Sequence, residues 1–438
     1  MTTTTTTFWQ QMLGKRMLIC VFTGLASGMP LYLLYQLVPL WLRDNGVSLA
    51  EIGLFALVGL PYSWKVIWAP LIDRFELPLG LRRGWMLFTQ LGLIVTIAFI
   101  GTVDPVTNLS LVAVMATVIA VFSASQDVAI DAYRRELLSD DELGLGNSVH
   151  VQAYRISSLI PGSLAIVLAD SLPWHLVFWI TAGFMSIGVG LSLSIKEPSR
   201  TPVVHKNIYS VVVTPFADYV ERRGWAGVLL AMTFMVLYKL GDNMATALSS
   251  PFYLDLGFTK TEIGVWAKNA GLWSSIIGAM IGGAIMLRVS INKALWLFGT
   301  VQLLSIGGFA ILAATGPVIW LLAAVISFEY LGVGLGTAAF VAYMARESSR
   351  TFAATQIALF TALAALPRSM ANASTGFLVE SLGWVEFYLL CMVAAVPGML
   401  LLLWVAPWGA DHCLDEPMTS DSEHRGTVEP FREREASP

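Results

Sequence analysis

Long apolar runs alternate with short polar connections along most of the chain. A helix needs ~20 mostly apolar residues to cross a bilayer, and twelve of the runs reach about this length. We therefore predict an all-α polytopic chain with twelve membrane-spanning helices, at residues 17–42, 49–72, 84–104, 110–133, 145–169, 175–195, 225–254, 261–286, 294–315, 318–344, 353–381 and 384–408. The runs at 110–133 and 353–381 contain polar residues that lower their hydropathy.

The composition also indicates a membrane protein. Hydrophobic residues make up 56% of the 438 residues and charged residues only 13%, whereas soluble domains carry ~25% charged residues. The three cysteines show neither a disulfide framework nor metal-ligand spacing. No basic patch indicates a nucleic-acid partner. We expect a monomer whose partners are the lipid bilayer and a small solute.

The placement of lysine and arginine predicts that both termini lie in the cytoplasm, since cytoplasmic loops carry the excess of these residues. With that orientation, nineteen of the 26 basic residues fall in inside segments and two, Arg43 and Lys260, in outside loops. We expect no cleavable signal peptide, because the first apolar run is long enough to span. The remaining basic residues lie within spans: Lys65, Arg155, Lys239, Lys268 and Arg368.

The longest internal connection divides the predicted helices six plus six. The expected organisation is a cytoplasmic N-terminal segment, an N-terminal half, a cytoplasmic linker, a C-terminal half and a polar acidic cytoplasmic tail, at residues 1–16, 17–195, 196–224, 225–408 and 409–438. An internal repeat supports this division, since residues 46–53 (GVSLAEIG) reappear as 257–264 (GFTKTEIG). Each copy contains a capping box that begins a helix, so Glu51 and Glu262 are interpreted as helix caps rather than ligands.

Small residues and prolines predict how the spans pack. Glycines spaced four apart favour close helix approach, and such pairs occur at Gly24 and Gly28, Gly278 and Gly282, and Gly332 and Gly336. Glycines and prolines also interrupt spans one, five, seven and eleven. Spans one and seven, and five and eleven, correspond across the halves. Interruptions at corresponding positions point to a site near the midplane.

The fourth span carries two acids, in the stretch SASQDVAIDAYRR that begins at residue 123. Asp127 and Asp131 are four apart and share a helix face. A carboxylate near the bilayer centre costs at least ~2.5 kcal/mol, so both must face protein or a wet cavity. Asp127 is a proton-coupling candidate and its neighbour Gln126 a substrate-binding candidate. Asp131 and Arg134, near the cytoplasmic end, are gating candidates.

The seventh span contains Tyr238, Lys239 and Asp242. Lys239 and Asp242 are three apart and can pair on one helix face. Two interpretations stay open, a structural ion pair or an exposed pair that binds a zwitterionic solute or carries a proton. Tyr238 and Lys239 are substrate-binding candidates, and Asp242 is a proton-coupling candidate.

Two arginines place fixed charges inside the membrane, Arg155 in span five and Arg368 in span eleven. Each needs a carboxylate partner or an anionic substrate, and Asp127 is a candidate partner for Arg155. Two guanidinium groups on one cavity would suit a solute with several carboxylates, which they bind bidentately. The other substrate-binding candidates are polar residues of spans one and five: Tyr32, Tyr35, Gln36 and Tyr154.

Glu329, in the tenth span, is the third proton-coupling candidate. Burial favours the neutral form of a carboxylate, which lets such a group load and release a proton. A polar link to a neighbouring helix is an equally open interpretation. The glycines at 332, 334 and 336 do not follow a strand, so they are not interpreted as a nucleotide-binding loop.

Enzyme motifs are missing from the sequence, which has no HExxH, no GxSxG and no phosphate loop ending in Gly-Lys-Ser/Thr. We expect no catalytic residues, no metal and no cofactor. Without an ATP-binding loop, any driven transport must be secondary and take its energy from a gradient.

Short motifs in nearly all twelve spans resemble those of the AmpG muropeptide permeases, a branch of the major facilitator superfamily. In family order they are GLASGMP at 24–30, WKVIWAPLIDR at 64–74, SASQD at 123–127, YR at 154–155, LYKLGD at 237–242, FE at 328–329, ATQ at 354–356 and AAVPG at 394–398. The stretch from Asp73 and Arg74 to Arg82 and Arg83 looks like a loosened form of the superfamily signature between spans two and three. Asp73 and Arg74 are therefore gating candidates, although Ala69 replaces the first glycine of that signature.

The resemblance implies the major facilitator fold, with two pseudo-symmetric six-helix halves, in the bacterial inner membrane. It implies proton-gradient-driven import of anhydro-muropeptides from periplasm to cytoplasm, and an indirect role in β-lactamase induction and antibiotic resistance. Some family members carry further C-terminal helices, which we do not expect here. Two alternatives stay open: a proton-coupled carrier of another large anionic solute (acyl-CoA-like or a peptide), and a transport-dead muropeptide sensor.

Overall fold

A computed structural model describes residues 14–197, 208–349 and 353–409. Predictions for residues 1–13, for 198–207 of the linker and for 410–438 of the tail lie outside the described residues. The chain forms successive helices that we label α1 to α12: Lys15–Asp44, Leu49–Trp64, Leu81–Ile100, Leu109–Leu137, Glu142–Leu168, Trp174–Ser194, Thr214–Ala247, Lys260–Met286, Ile291–Thr315, Ile319–Glu347, Ala353–Leu382 and Trp384–Val405.

Ten of these helices are long and apolar enough to cross a membrane. The other two are α2, which is short, and α11, which is 30 residues long but is less apolar, as its polar residues predicted. All twelve predicted spans coincide with helical segments, and the only bridge between extended residues in the described chain joins Leu77 and Gly80. The fold class is therefore all-α, as predicted.

The second predicted span is not one continuous helix. The α2 segment ends at Trp64, a 3-10 turn follows at Lys65–Ile67, and a short helix covers Ala69–Arg74. Pro61 and Pro70 explain the breaks, since each lies in the first turn of a short helix, where a missing backbone N–H is tolerated. The single span predicted at 49–72 is corrected accordingly.

The seventh span begins earlier than predicted. A helix runs from Ile208 to Leu237 and changes direction at Gly224, whose φ of 67° and ψ of 162° are not helical. Glycine tolerates this positive φ because it has no Cβ. The part of the predicted linker 196–224 that follows residue 207 is therefore helical. Beyond α7, a further helix covers Ser249–Asp255.

Three helices contain a π-helical segment: Leu33–Leu37 in α1, Ile160–Leu164 in α5 and Ile263–Ala267 in α8. In α5 the segment contains a proline near its start. Such insertions are rare and are often found at functional sites. Here they occur where the two halves of the molecule meet.

The glycine pairs pack helices within each half, as the spacing predicted. A Cβ at Gly24 of α1 would lie 2.9 Å from the Cβ of Ala153 in α5. A Cβ at Gly278 of α8 would lie 3.0 Å from the Cα of Leu331 in α10. Any larger residue at these positions would force the helices apart.

The halves are held together at one membrane end, which we call the outer end and define by the connections 45–48, 169–173 and 256–259. Arg43 donates hydrogen bonds to both carboxylate oxygens of Asp255, at 2.6 and 3.0 Å. Lys260 of the C-terminal half pairs with Asp44 at 2.9 Å. Both ion pairs cross from one half to the other.

The outer contacts follow the internal repeat. Asp44 and Asp255 are 211 residues apart, and each also accepts an indole N–H, from Trp174 at 2.8 Å and from Trp384 at 3.2 Å respectively. These two tryptophans likewise occupy corresponding helix starts, those of α6 and α12. Each half therefore contains the same hydrogen bond from a tryptophan to an aspartate at the outer end.

A second repeated contact is a carboxylate that caps a helix beginning at the outer end. Glu380 of α11 accepts a hydrogen bond from the backbone N–H of Ala50 in α2, at 3.0 Å. Asp170, just after α5, accepts one from the N–H of Thr261 in α8, at 2.6 Å. A carboxylate at a helix N-terminus satisfies free N–H groups and the positive end of the dipole. Each half therefore caps a helix of the other.

Ion pairs at the opposite, inner end join elements of a single half. Arg82 of α3 pairs with Asp73 at 2.5 Å and with Glu136 of α4 at 2.8 Å. Arg223 of α7 pairs with Glu347 of α10 at 2.5 Å. The structure is thus closed between its halves at the outer end.

Candidate functional site

The N-terminal half contributes one charged cluster, around Asp127 of α4. Ser27 of α1 donates a hydrogen bond to Asp127 at 2.5 Å, and the Lys65 ammonium lies 4.0 Å from the other carboxylate oxygen. The Asp127 side chain is 13% exposed and that of Lys65 34%. The partner of Asp127 is therefore Lys65, whereas the sequence suggested Arg155.

Buried polar groups without partners lie near this cluster. Gln126 is fully buried, and neither atom of its amide makes a hydrogen bond within the described chain. The Tyr62 hydroxyl is also buried without a hydrogen bond there, and it lies close enough to Asp127 to interact with it electrostatically. Buried polar groups are normally satisfied, so this region is suited to water or to a polar ligand.

The C-terminal half contributes a second cluster, at the centre of α7 and α10. The Lys239 ammonium lies 3.6 Å from Asp242, and Asp242 is close enough to Glu329 to interact with it electrostatically. Ser305 of α9 donates a hydrogen bond to Glu329 at 2.5 Å. The other oxygen of Glu329 and one oxygen of Asp242 are buried without a hydrogen bond in the described chain. The cluster therefore places two carboxyl groups and one ammonium close together inside the membrane.

Three tyrosines of the N-terminal half lie near arginines, one from each half. The rings of Tyr32 in α1 and Tyr154 in α5 are 5.7 Å apart. Arg155 is close enough to Tyr32 to interact with its hydroxyl, and Arg368 of α11 is close enough to Tyr35. The structure thus brings an arginine of each half near the same helix, α1.

A cleft in the C-terminal half joins the second cluster to one of these arginines. Lys239, Asn243 and Arg368 all line it, together with apolar residues such as Phe340 and Phe360. The cleft therefore offers two cationic groups and an amide against an apolar wall, which suits an amphipathic anion.

Two of the predicted substrate-binding residues are placed less favourably. Tyr238 is 6% exposed, its hydroxyl donates to the backbone oxygen of Leu295 at 2.9 Å, and its ring stacks on Phe340. Its role here is packing. Gln36 lies against Gly162 of α5, and its side-chain oxygen has no hydrogen bond within the described residues.

The predicted gating residues lie at the inner end. Asp73 pairs with Arg82, and Asp131 pairs with Arg134 at 2.8 Å within α4. Arg74 is exposed. These residues surround the α2–α3 connection, away from the two charged clusters.

The sequence did not assign a role to several residues of these clusters. Lys65 and Lys268 are recognisable as basic residues within spans, but the sequence does not show how deep in the membrane they lie. Nothing in the sequence distinguishes Ser27 and Ser305, which donate to Asp127 and Glu329, from other serines in the spans. For the outer end a signal existed, because Asp44 and Asp255 differ by the same 211 positions as the repeated motif.

Comparison with known proteins defines the class of this fold and site. Residues 17–372 match the Major Facilitator Superfamily. Solved structures with the same fold include the nucleoside transporter NupG (TM-score 0.70, 12% identity, covering 90% of this chain and 99% of that one) and a D-xylose–proton symporter (TM-score 0.66, 12% identity, 89% and 97%). The fold is therefore that of a major facilitator membrane transporter.

Sequence relatives narrow the family. An uncharacterized protein of Haemophilus influenzae is 46% identical over 407 residues, 91% of this chain and 96% of that protein. The anhydromuropeptide permease of Escherichia coli K12 is 40% identical over 392 residues, 89% of this chain and 79% of that protein. The chain belongs to the AmpG permease family of the major facilitator superfamily. It is a multi-pass inner-membrane transporter of a small molecule.

Proposed function

We propose that this transporter imports anhydro-muropeptides (GlcNAc-anhydroMurNAc peptides) from the periplasm to the cytoplasm, in symport with protons. The name of the E. coli relative supports the substrate, and the Lys and Arg distribution supports an orientation with both termini inside. The energy source is the proton gradient, and no cofactor is required. Import would feed the recycling of cell-wall fragments and, indirectly, β-lactamase induction.

The observation that carries the proposal is the charge balance of the membrane interior. Away from the helix caps and the ends of the spans, the spans contain three carboxylates, Asp127, Asp242 and Glu329, and five basic side chains, Lys65, Arg155, Lys239, Lys268 and Arg368. Two of these basic side chains pair with a carboxylate, Lys65 with Asp127 and Lys239 with Asp242. Unneutralised charge inside a membrane costs at least ~2.5 kcal/mol per residue. A solute with several carboxylates, such as the peptide of a muropeptide, would neutralise the excess.

The Asp242–Glu329 contact supports proton coupling. Like charges so close cannot both stay ionised, so this carboxyl pair is suited to take up and release a proton. Proton uptake by the pair would weaken the attraction between Asp242 and Lys239, which lie 3.6 Å apart, and so free the ammonium. The freed ammonium borders the cleft that also holds Arg368. Protonation would thereby create a site for the solute's carboxylate.

The outer contacts support alternating access. In the present arrangement the repeated contacts join the two halves at the outer end. Binding of proton and solute from the periplasm requires the other arrangement, in which the ion pairs of Arg43 with Asp255 and of Lys260 with Asp44 are broken. Rocking of the two halves about the central site would interconvert them.

Substrate competition in proteoliposomes tests the proposed substrate. Uptake of labelled GlcNAc-anhydroMurNAc-peptide should be inhibited best by the same unlabelled compound, and weakly by the free disaccharide or the free peptide, because both parts of the solute contribute contacts. Binding without any uptake would contradict transport. Equal inhibition by the free peptide alone would contradict the muropeptide as the substrate.

A further inference from the structure

Lys268 of α8 is a basic residue within the membrane for which the outer closure and the proposed proton site give no role. Its ammonium donates a hydrogen bond to the Ser250 hydroxyl at 2.6 Å and lies 6.0 Å from the centre of the Tyr253 ring. Among the described residues, no carboxylate lies within 4.0 Å of it. A hydroxyl and a ring face are weak partners for a full charge inside a membrane.

The position of Lys268 places it just beneath the outer closure. Gly264, four residues earlier, packs against α5 of the other half, where an added Cβ would lie 2.8 Å from the Ser163 carbonyl oxygen. The Lys268 side chain lies about one helical turn from this crossing and contacts Ser250 and Tyr253 of its own half. The next residue, Asn269, reaches the Ser163 hydroxyl at 3.5 Å.

The backbone around Lys268 is also unusual. The π-helical segment Ile263–Ala267 ends immediately before it. A π-helical insertion shifts the helix face that the following residues present, and such insertions recur at functional sites. The shift sets the direction in which the Lys268 side chain leaves α8.

The internal repeat gives Lys268 no basic counterpart. At the 211-residue offset that relates Asp44 to Asp255, Lys268 corresponds to Leu57. Arg43 and Lys260, the cations of the outer closure, have no basic counterpart at this offset either, but each of them pairs with an aspartate. Lys268 differs from them because it has no such ion pair within the described chain.

From this geometry we infer that Lys268 is a binding residue for a carboxylate of the transported solute, at the outermost part of the central site. The inference rests on the proposed function and extends it by assigning this residue. One N–H of the Lys268 ammonium donates to Ser250, and the other two make no hydrogen bond in the described structure. These two N–H groups can therefore donate to a carboxylate of the solute. The contacts with Ser250 and Tyr253 orient the ammonium.

Binding measurements on the purified full-length protein test this assignment. The probes are GlcNAc-anhydroMurNAc-peptide with free carboxylates and the same compound with its carboxylates converted to amides. The variants are Lys268→Met, which removes the charge, and Lys268→Arg, which keeps it. Lys293→Met, a lysine near the inner end of α9, is the matched control for loss of a positive charge.

The wild-type protein should bind the acid more tightly than the amide. Lys268→Met should weaken binding of the acid about tenfold or more, the loss expected for one charged hydrogen bond, and leave binding of the amide unchanged. Lys268→Arg should keep most of the preference for the acid, and Lys293→Met should keep all of it. The selective loss is a change that a merely structural role would not produce.

Two results would overturn the assignment, and they are distinguishable from failure of the proposed function. If Lys268→Met binds acid and amide with the two wild-type affinities, Lys268 does not hold a carboxylate, while the proposed substrate stands. If Lys268→Met weakens both probes equally, the residue is structural. If the wild-type protein binds neither probe, the proposed substrate is wrong and the assignment fails with it. Should Lys268→Met not fold, Lys268→Gln is measured in its place.

Discussion

Arg43 and Asp255 form a two-point ion pair between the halves of the protein, with hydrogen bonds of 2.6 and 3.0 Å. Asp255 is the counterpart of Asp44, which binds Lys260 from the opposite half. The outer end is thus closed by two related ion pairs. In the proposed import cycle these ion pairs break, because the solute would enter from that end.

Reversing one charge of the Arg43–Asp255 pair should open the outer end. A partly exposed ion pair contributes about 1 kcal/mol, so Arg43→Ala should shift the population of open protein about fivefold, and Arg43→Asp should shift it further by repulsion. The double variant Arg43→Asp with Asp255→Arg should restore closure. The readout is maleimide labelling of a cysteine introduced at Ala247, which lines the cleft under the closure.

Arg16→Ala is the control for this experiment, because Arg16 pairs with Glu142 inside one half. Labelling at position 247 should be unchanged in this variant. If Arg43→Asp also labels at the wild-type rate, the ion pair does not hold the outer end closed.

Small residues at the crossing of the halves should be needed for closure. A Cβ at Gly264 would approach the Ser163 oxygen to 2.8 Å, and one at Gly53 would approach the Gly376 nitrogen to 2.9 Å. Both neighbours are backbone atoms that cannot move aside, so Gly53→Leu and Gly264→Leu should each keep the outer end open. Each should reduce uptake at least tenfold, which corresponds to destabilising the closed arrangement by ~1.4 kcal/mol. Gly283→Leu, in α8 with open space around it, should transport normally; wild-type uptake by Gly264→Leu would disprove the close contact.

Asp127→Asn should abolish uptake without loss of protein from the membrane. The substitution leaves the Lys65 ammonium without its carboxylate, and removing one partner of a buried ion pair costs up to ~3–5 kcal/mol, less here because Lys65 is 34% exposed. The double variant Asp127→Asn with Lys65→Met separates two explanations. If uptake returns, the pair is only structural; if stability returns and uptake does not, Asp127 takes part in transport.

Glu329→Gln should uncouple the solute from the proton. A glutamine is always neutral, so the pair with Asp242 can no longer take up and release a proton. Exchange of labelled for unlabelled solute at equal concentration should persist, whereas accumulation against a gradient should be lost. Glu386→Gln, in the first turn of α12, is the control and should accumulate normally. Accumulation by Glu329→Gln at the wild-type level would exclude this carboxylate as the proton carrier.

Hydrophobic pattern alone was enough for most of the fold. The twelve runs located the helices because each must be apolar enough to cross the membrane, and the capping boxes at Ser48 and Thr259 are present as predicted. The pattern failed at the start of α7, where residues 208–223 are helical although their charges resemble a linker. It also failed in α2, where Pro61 and Pro70 divide the span.

The candidate site could be predicted only in part. The sequence picks out acids and bases within spans, and the Lys239–Asp242 pair follows from helical spacing. The pairing of Asp127 with Lys65 does not follow, because it depends on the rotation of α4 against the broken α2. The contact of Asp242 with Glu329 likewise depends on how α7 and α10 pack, which a single sequence does not encode locally.

The central claim is proton-coupled import of a muropeptide, and uptake into proteoliposomes with an imposed proton gradient tests it most directly. Labelled GlcNAc-anhydroMurNAc-peptide is supplied outside, with the lumen either more alkaline than the outside or at equal pH. The account predicts that uptake rises with the gradient, exceeds the external concentration and collapses when a protonophore is added. Uptake that is equal with and without the gradient, or no uptake of the compound, would contradict it.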